Sequence, residues 1–219
     1  PYVIEFECNL KENLASLKSE LESFAYIPKP LKKFIIRDPK TRIIHASAFR
    51  DRIVHHALCN IIEPIFDRIF IYDSYANRKG KGVHNALQRF DYFKRKISIN
   101  GSRLNNPNYS NMIIGYVLKA DIKHYFDAIN HDILIKTVKR TIKDDSVIWL
   151  MGQILDQHYA GIKGKGMPLG NLTSQFFANV YLNDLDYFVK HKLKAKYYIR
   201  YVDDFVILHN SKEILLEYK

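Results

Sequence analysis

The stretch YIRYVDDFVILHN, residues 198–210, sets two adjacent carboxylates, Asp203 and Asp204, inside an otherwise apolar and aromatic run. Hydrophobic residues occupy both parities of the run, which predicts two strands that are buried on both faces and joined by a tight turn at the two aspartates. Two unit charges ~4 Å apart at an effective dielectric of ~20 interact by about 4 kcal/mol. The pair therefore needs a compensating charge.

A third carboxylate ends another apolar run. In YVLKADIKHYFDAI, residues 116–129, Asp121 stands where a predicted strand stops, so two strand ends could bring Asp121 and Asp203 together. Three convergent carboxylates ionise together only if a divalent cation offsets their charge, and Mg²⁺ suits oxygen ligands. Such a site is typical of two-metal phosphoryl or nucleotidyl transfer. The Asp144-Asp145 pair needs only a helix N-terminus to explain it.

The composition favours a protein that binds a polyanion. The chain has 219 residues, of which 47% are hydrophobic, and 34 Lys+Arg against 23 Asp+Glu give a net charge of +11. This length allows one large or two small domains, and the charge favours nucleic acid, although a merely basic soluble surface explains it as well. Cys8 and Cys59 lack the spacing of a zinc site or disulfide framework and are expected to be reduced thiols. Because no apolar run approaches a membrane span, we expect a soluble fragment that binds no membrane.

Periodicity predicts an α+β fold with helices on one face of the sheet. Strands are expected in a hairpin over residues 33–46, as a buried strand in residues 112–122 and in the opening stretch, with a surface loop at 98–111. Helices are predicted at residues 9–25, capped by Asn9, from about 53 to Pro64, and at 83–93, 131–142, 145–157, 172–190 and 210–219.

Four motifs resemble those of reverse transcriptases, in the order found in that family: SYANRKGKGVHNAL (74–87), ADIKHYFDAI (120–129), GMPLGNLTSQFFANVYL (166–182) and YVDD (201–204). The segments IIRDPKTRII (35–44) and FRDRIVHHALCNIIEPIF (49–66) resemble the bacterial branch that includes group II intron proteins. The resemblance implies a right-hand polymerase fold, with a palm of antiparallel sheet backed by helices and a helical and hairpin fingers subdomain. We expect fingers and the first palm-proximal helices in 1–110, and palm, truncated before the thumb, in 111–219.

The resemblance also implies RNA-directed DNA synthesis from an RNA template and a DNA or RNA primer, with deoxynucleoside triphosphates as substrates and two Mg²⁺ ions, for which Mn²⁺ could substitute. Catalytic metal ligands carried over from the family are Asp121, Asp203, Asp204 and the Ile122 carbonyl. Residues expected to contact the incoming nucleotide are Arg37, Arg42, Phe126, Leu169 and Gly170. Residues expected to contact template or primer are Ser74, Tyr75, Arg78, Lys79, Lys81, His84, Ser174 and Gln175.

Three of these features also have a purely structural explanation. Phe126 matches an aromatic gate against the ribose 2′-hydroxyl, but the ring could be plain core. Arg37 and Arg42 could belong to a solvated charged hairpin, and Leu169 could merely fill a turn.

The MPLG motif narrows the family. Most reverse transcriptases carry Gln where this chain has Leu169 and a later Ser-Pro where it has Ser174-Gln175. LGNLTSQ resembles the polymerases of diversity-generating retroelements, which copy a template-repeat RNA with errors opposite adenine and work with a small basic accessory protein. We expect such an enzyme in the cytoplasm, encoded by a bacterium, archaeon or phage. Alternatives are a group II intron or retron enzyme, a catalytically silent nucleic-acid-binding relative, and a metal-dependent nuclease.

Overall fold

The computed structural model describes residues 2–102, 114–158 and 160–219. Its helices are α1 (Tyr2–Cys8), α2 (Leu10–Glu22), α3 (Phe49–Asp67), α4 (Val83–Ile97), α5 (Tyr125–Ala128), α6 (His131–Thr141), α7 (Asp145–Leu155), α8 (Leu172–Tyr187) and α9 (Lys212–Glu217). Its strands are β1 (Lys32–Ile36), β2 (Arg42–Ala46), β3 (Tyr116–Asp121), β4 (Tyr197–Tyr201) and β5 (Asp204–His209). The predicted α+β class is confirmed, and none of the helices in the described ranges combines the length and apolarity that a bilayer crossing requires.

The chain divides into two compact units that alternate along the sequence. Residues 1–68 and 124–181 form the first unit, and residues 69–123 and 182–219 form the second. The expected assignment of 1–110 to fingers and 111–219 to palm stays a prediction.

The first unit contains a two-stranded sheet and most of the helices. Strands β1 and β2 pair antiparallel, from Lys32 opposite Ala46 to Ile36 opposite Arg42, and their residues are largely exposed. A core forms around Leu17, Tyr26 and Val54, and buried Asp51 accepts hydrogen bonds from the Tyr26 hydroxyl at 2.8 Å and the Lys29 N–H at 2.9 Å.

The second unit contains an antiparallel sheet of order β3-β5-β4. Ile199 and Leu208 join one buried cluster with Phe93 and Ile97 of α4, while Tyr198 and Ile207 join a second cluster with Leu215 of α9. Strands β4 and β5 are therefore covered on both faces, as the opening stretch predicts, and the expectation that helices cover one face of the sheet is wrong, because α4 and α9 pack on opposite faces. Strand β3 differs, because Tyr116 and Val117 are exposed at the edge of the sheet, so the expected burial of this strand is wrong.

Several predicted element boundaries change. The helix expected at 9–25 is divided into α1 and α2, and the Asn9 side chain makes no capping hydrogen bond. Helix α3 continues past Pro64 to Asp67. Pro64 has no N–H to donate to the Asn60 carbonyl, but the last turn is held by buried Phe66, which packs edge-to-face on Phe176. Helix α8 ends at Tyr187 in a π-helical turn, Phe188–Lys192.

Other expectations agree with the structure or lie outside it. The Asp144 carboxylate caps α7 by accepting from the N–H groups of Ser146 and Val147, and both cysteines are free thiols. Most of the loop predicted at 98–111 and the first two residues of the strand predicted at 112–122 lie outside the described residues.

Candidate active site

Asp121, Asp203 and Asp204 converge at one end of the three-stranded sheet, and we call them the acidic cluster. Asp121 is the last residue of β3 and pairs directly with Asp204, the first residue of β5. Asp203 lies in the turn before β5, and one carboxylate oxygen from each residue lies within 4.8 Å of the other two. Within the described ranges, this is the one group of three or more acidic, histidine or cysteine side chains close enough to hold a metal ion. The sequence prediction that the strand ends meet is confirmed.

The cluster concentrates negative charge at one end of the sheet. Like charges directly opposite on neighbouring strands destabilise a sheet. Lys119 Nζ lies 4.0 Å from Asp204 Oδ1, but both side chains are mainly exposed, and such pairs contribute little. Three carboxylates with no nitrogen or sulfur ligand suit a hard divalent cation such as Mg²⁺. These residues therefore fit the metal that the sequence predicts, and Ile122, next to Asp121, could add its carbonyl.

The turn that presents Asp203 is unusual. Tyr201 pairs with Asp204, so the two turn residues are Val202 and Asp203 rather than the predicted Asp203 and Asp204. Val202 has φ +56°, a left-handed conformation that is an outlier for a β-branched residue. Its carbonyl accepts a hydrogen bond from Arg200 Nη1 at 3.0 Å. The Arg200 side chain of β4 therefore stabilises the turn through this hydrogen bond.

Arg200 is held in turn by Asp186 of α8. Both are 0% exposed, and Arg200 donates to Asp186 from Nε at 2.7 Å and from Nη2 at 2.6 Å. The Tyr198 hydroxyl donates to the same carboxylate at 2.8 Å, and burial, followed by the charge of Asp186, raises the pKa of Tyr198. The spacing of residues in the sequence does not predict this network. The one signal in the sequence is the single charge, Arg200, within an apolar strand.

The segment expected to grip the template is partly internal. Ser74 is 0% exposed and Tyr75 2% exposed, so direct template contact by either is wrong for this structure. They are buried because residues 73–75 run beside β4: the Arg200 N–H donates to the Asp73 carbonyl, and the Tyr75 N–H to the Arg200 carbonyl, both at 3.0 Å. Arg78 Nη1 donates to the carbonyls of Ile71 at 2.7 Å and Ser74 at 2.9 Å, which ties its guanidinium to the segment.

Basic and aromatic side chains nevertheless meet at the surface of the second unit. Lys81 Nζ lies 3.4 Å from the ring centroid of Tyr72, which is 67% exposed. The Arg89 guanidinium lies 5.2 Å from the Tyr72 centroid and 5.4 Å from that of Tyr92. Lys79 and His84 are also exposed. Exposed aromatic rings beside cations suit stacking against bases and phosphate contact, and Tyr72 and Tyr92 are candidates that sequence reasoning missed.

The residues expected to hold the nucleotide belong to the first unit. Arg42 begins β2 and Arg37 follows β1, and both are exposed at the turn of the hairpin. Leu169 and Gly170 dock on β2: the His45 N–H donates to the Leu169 carbonyl at 3.0 Å, and a Cβ on Gly170 would lie 2.6 Å from Ile44 Cγ2. The structure thus brings the MPLG loop against the strand that carries Arg42.

A cleft of about 260 Å³ lies beside this loop. Its lining includes Gly170, Asn171 and Gln175 from the loop and the start of α8, with Arg52, His55 and His56 from α3. Gln175 is exposed, whereas Ser174 is buried, so direct primer or template contact by Ser174 is wrong for this structure.

Phe126 is half-buried, and its ring packs edge-to-face on Tyr125 with the centroids 5.4 Å apart. The Phe126 carbonyl accepts from the Met167 N–H at 2.8 Å, and the Tyr125 hydroxyl donates to the Ala178 carbonyl at 2.7 Å. These contacts fix the backbone around Phe126 and leave the gate a prediction.

Four histidines of the first unit, His45, His55, His131 and His158, are buried or half-buried. Burial, and secondly the charge of His56, lowers the pKa of His55 to about 4. His131 Nε2 lies 2.7 Å from the Gly166 carbonyl oxygen, and the rings of His45 and His158 lie 4.6 Å apart. Burial is the main cause that lowers the pKa of both His45 and His158.

Comparisons with known proteins agree with this geometry. The family model described as reverse transcriptase (RNA-dependent DNA polymerase) matches residues 27–218. Protein YkfC of Escherichia coli strain K12 is 27% identical over 193 residues, covering 85% of this chain and 48% of that protein. The group II intron-encoded protein LtrA of Lactococcus lactis subsp. cremoris is 27% identical over 195 residues, covering 85% of this chain and 30% of that protein. The chain thus spans half or less of these relatives.

Solved telomerase structures share the fold. Telomerase from Candida albicans superimposes with a TM-score of 0.59 at 11% identity, covering 95% of this chain and 43% of that one. Telomerase from Candida tropicalis gives a TM-score of 0.59 at 14% identity over 95% and 41%. Because the family match extends over residues 27–218, this chain belongs to the reverse transcriptase (RNA-dependent DNA polymerase) family.

Proposed function

We propose that this chain is the fingers and palm of an RNA-directed DNA polymerase from a diversity-generating retroelement, with fingers in 1–110 and palm in 111–219. The observation that carries the polymerase function is the acidic cluster, whose carboxylate oxygens lie within 4.8 Å of one another. A protein that only bound nucleic acid would gain nothing from concentrated negative charge beside a polyanion.

The roles of the chain's own residues follow from their positions. Asp121, Asp203, Asp204 and the Ile122 carbonyl hold the metal. Two Mg²⁺ ions, or Mn²⁺ in their place, would supply activation of the primer hydroxyl and stabilisation of the pyrophosphate leaving group. The exposed guanidinium groups of Arg37 and Arg42 bind the triphosphate.

The other nucleotide contacts act on the sugar and base. Phe126 excludes the 2′-hydroxyl by its bulk, while Leu169 and Gly170 contact the incoming nucleotide from the loop docked on β2.

Template and primer contacts fall to the exposed members of the predicted set and to half-buried Lys81, which lies against the exposed Tyr72 ring. Lys79, Lys81, His84 and Gln175 bind the phosphate backbone or bases. Ser74, Tyr75, Arg78 and Ser174 instead support them from inside, as the burial of three of them and the carbonyl contacts of Arg78 indicate.

The retroelement subtype rests on LGNLTSQ. A Gln after the Pro could hydrogen-bond the incoming sugar, whereas Leu169 offers only apolar contact and selects geometry less tightly. We therefore propose error-prone copying of a template-repeat RNA, assisted by a small basic accessory protein, in the cytoplasm of a bacterial, archaeal or phage-infected cell. The second candidate is a group II intron enzyme, which the 27% identity to LtrA favours.

Primer extension tests the polymerase function. The complete protein should extend a DNA primer on RNA in the presence of Mg²⁺, and Asp203→Asn should abolish extension while preserving RNA affinity. Asp145→Asn is the matched control, because it changes the other Asp-Asp pair of the chain at the start of α7 and should leave extension unchanged. Wild-type protein that binds RNA but never extends would refute the proposal.

Error spectra and bound RNA test the subtype. Leu169→Gln should lower misincorporation opposite template adenine, and the RNA that co-purifies should contain a template repeat. An unchanged spectrum removes Leu169 from the explanation, and a co-purifying intron RNA decides for the group II candidate.

A further inference from the structure

We propose that Asp186 and Arg200 are positioning residues that set the catalytic turn, so that Asp203 and Asp204 face Asp121 in a metal-binding arrangement. The inference rests on the proposed polymerase function, but it concerns residues that never touch the substrate. Its central observation is that one buried guanidinium joins a helix carboxylate to the carbonyl immediately before Asp203.

Arg200 divides its donors between two acceptors. Nε and Nη2 bind the Asp186 carboxylate at 2.7 and 2.6 Å, and Nη1 binds the Val202 carbonyl at 3.0 Å. A guanidinium is planar and rigid, so the carboxylate that fixes two of its nitrogens also fixes the direction of the third. A lysine ammonium, a compact point charge on a flexible stem, cannot reproduce this fork.

The carbonyl that Arg200 holds belongs to the peptide group leading into Asp203. Because a peptide group is planar, orienting the Val202 carbonyl also orients the Asp203 N–H and the bond to the Asp203 Cα. Val202 adopts φ +56°, which its β-branched side chain disfavours, so the turn needs an external contact to remain there. The hydrogen bond from Arg200 supplies one.

The backbone of Arg200 is fixed as well. Its N–H donates to the Asp73 carbonyl and its carbonyl accepts from the Tyr75 N–H, each at 3.0 Å. The Asp73 carboxylate accepts from Arg89 Nε at 2.8 Å, which anchors the supporting segment to α4. The backbone that carries the guanidinium is therefore held by hydrogen bonds at both its N–H and its carbonyl.

Stability alone is a poor explanation for this pair. Replacing a buried ion pair with apolar residues of similar volume is often neutral or stabilising, because two charges must lose their hydration on burial. What an apolar pair cannot do is donate to the Val202 carbonyl. The particular contribution of Arg200 is therefore orientation of the turn, which predicts an effect on metal binding that stability does not explain.

Arg200→Lys is the direct test, made in the complete protein. Metal binding is followed by electron paramagnetic resonance of Mn²⁺, a probe that requires no turnover, and extension is measured separately. We expect Mn²⁺ affinity to fall about 10-fold and kcat about 10- to 100-fold, typical of lost support around a metal site. KM for the nucleotide should stay within about 2-fold, because the triphosphate contacts lie elsewhere.

A second variant answers the objection that Arg200→Lys merely unfolds. Asp186→Leu/Tyr198→Phe/Arg200→Met replaces the whole network by apolar side chains, and its matched control, Tyr198→Phe, removes only the hydroxyl that binds Asp186. The triple variant should unfold cooperatively near the wild-type temperature and still lose Mn²⁺ affinity, while Tyr198→Phe should bind Mn²⁺ like wild type.

Wild-type Mn²⁺ affinity and kcat in the folded triple variant would overturn the positioning role. Failure of the proposed function looks different: wild-type protein would not extend primers at all, whereas the Mn²⁺ comparison would still decide what Arg200 does to the acidic cluster.

Discussion

Two β-hairpins in the described part of the chain both present charged side chains at a turn, yet they are built in opposite ways. The first hairpin, β1–β2, exposes every residue of β1 and much of β2. The second hairpin, β4–β5, lies between two buried clusters and has a buried ion pair beneath its turn. The difference follows the ligand each turn is proposed to bind: a small cation needs fixed oxygens, whereas a triphosphate can be met by long, adaptable arginines.

Isolated two-stranded sheets are marginally stable, so the first hairpin depends on what it docks against. Its contacts include the Leu169 carbonyl at His45, the close approach of Gly170 to Ile44 and the His158 ring beside His45. We expect it to open locally at a lower free energy than the second hairpin. Four measurements test this difference between the two hairpins.

We expect the greatest change in the steady-state kinetics, where substitutions at the two turns should alter different parameters. Asp203→Asn should lower kcat by about 10³-fold or more, because it removes a metal-binding carboxylate. Arg42→Gln should instead raise KM for the nucleotide about 10-fold with a smaller change in kcat, because it removes a charge-assisted phosphate contact. Steady-state primer extension over a nucleotide titration measures both. Equal losses of kcat in the two variants would contradict the division of roles.

The next effect concerns stability. Arg200→Met should lower the free energy of unfolding by about 3–5 kcal/mol, because it leaves the Asp186 carboxylate buried without its cation. Arg42→Met in the exposed hairpin should change it by less than about 0.5 kcal/mol. Urea unfolding monitored by circular dichroism provides the values, and similar losses in both variants would remove the asymmetry between the hairpins.

A smaller effect tests how the first hairpin is docked. Gly170→Ala should destabilise the protein by about 1–3 kcal/mol more than Gly80→Ala, because its new Cβ would meet Ile44 Cγ2 at 2.6 Å. Gly80 is the matched control, since it also has a positive φ, but a Cβ added there would meet no described atom within 4 Å. Thermal unfolding of the two variants compares them, and equal melting temperatures would show that the contact relaxes freely.

The smallest effect is a pH dependence at the contact between His45 of the first hairpin and His158. The pKa values of His45 and His158 lie below their ordinary value of 6.5, first because both are partly buried. The charge of Lys33 lowers that of His45 further, the charge of His45 lowers that of His158, and Asp127 opposes both.

A depressed histidine pKa means that the unfolded state takes up the proton first on acidification. The stabilisation is therefore complete above pH 6.5 and is lost as the pH falls from 6.5 through the folded pKa values. NMR titration should place the His45 midpoint below 6.5, and Lys33→Gln should raise that midpoint, because the charge of Lys33 lowers the pKa of His45. A wild-type His45 midpoint at or above 6.5 would contradict the lowered pKa. As a control, the protection of the β5 amides against hydrogen exchange should not change over the same pH range.

The acidic cluster could be predicted because each carboxylate stands at the end of an apolar run, which is visible in the nearby sequence. Asp121 and Asp203 each follow an apolar run. Strands β3 and β4 flank β5 and both run antiparallel to it, so their carboxyl ends lie at the same end of the sheet. The burial of both faces of β4 and β5 could also be predicted, because hydrophobic residues occupy both the odd and the even positions of these strands.

The supporting network was not predictable from periodicity. Asp186 and Arg200 lie on different elements, and nothing in the spacing of either reveals that they meet. For the same reason, Ser74 and Tyr75 looked like a nucleic-acid-binding segment, whereas their backbone lies against β4 and buries them. Exposure of β3 also depends on which strand occupies the edge, and strand order is a property of the whole sheet.

The pairing of Asp121 with Asp204 has one more consequence. These residues are distant in the sequence and become neighbours only when β3 joins β5, so the cation site does not exist in an unfolded chain. Cation binding and closure of the sheet are therefore thermodynamically linked, and Mg²⁺ should act as a folding ligand that relieves repulsion across the last residue pair of the ladder. The paired strands and the proposed cation site therefore form as one thermodynamic unit.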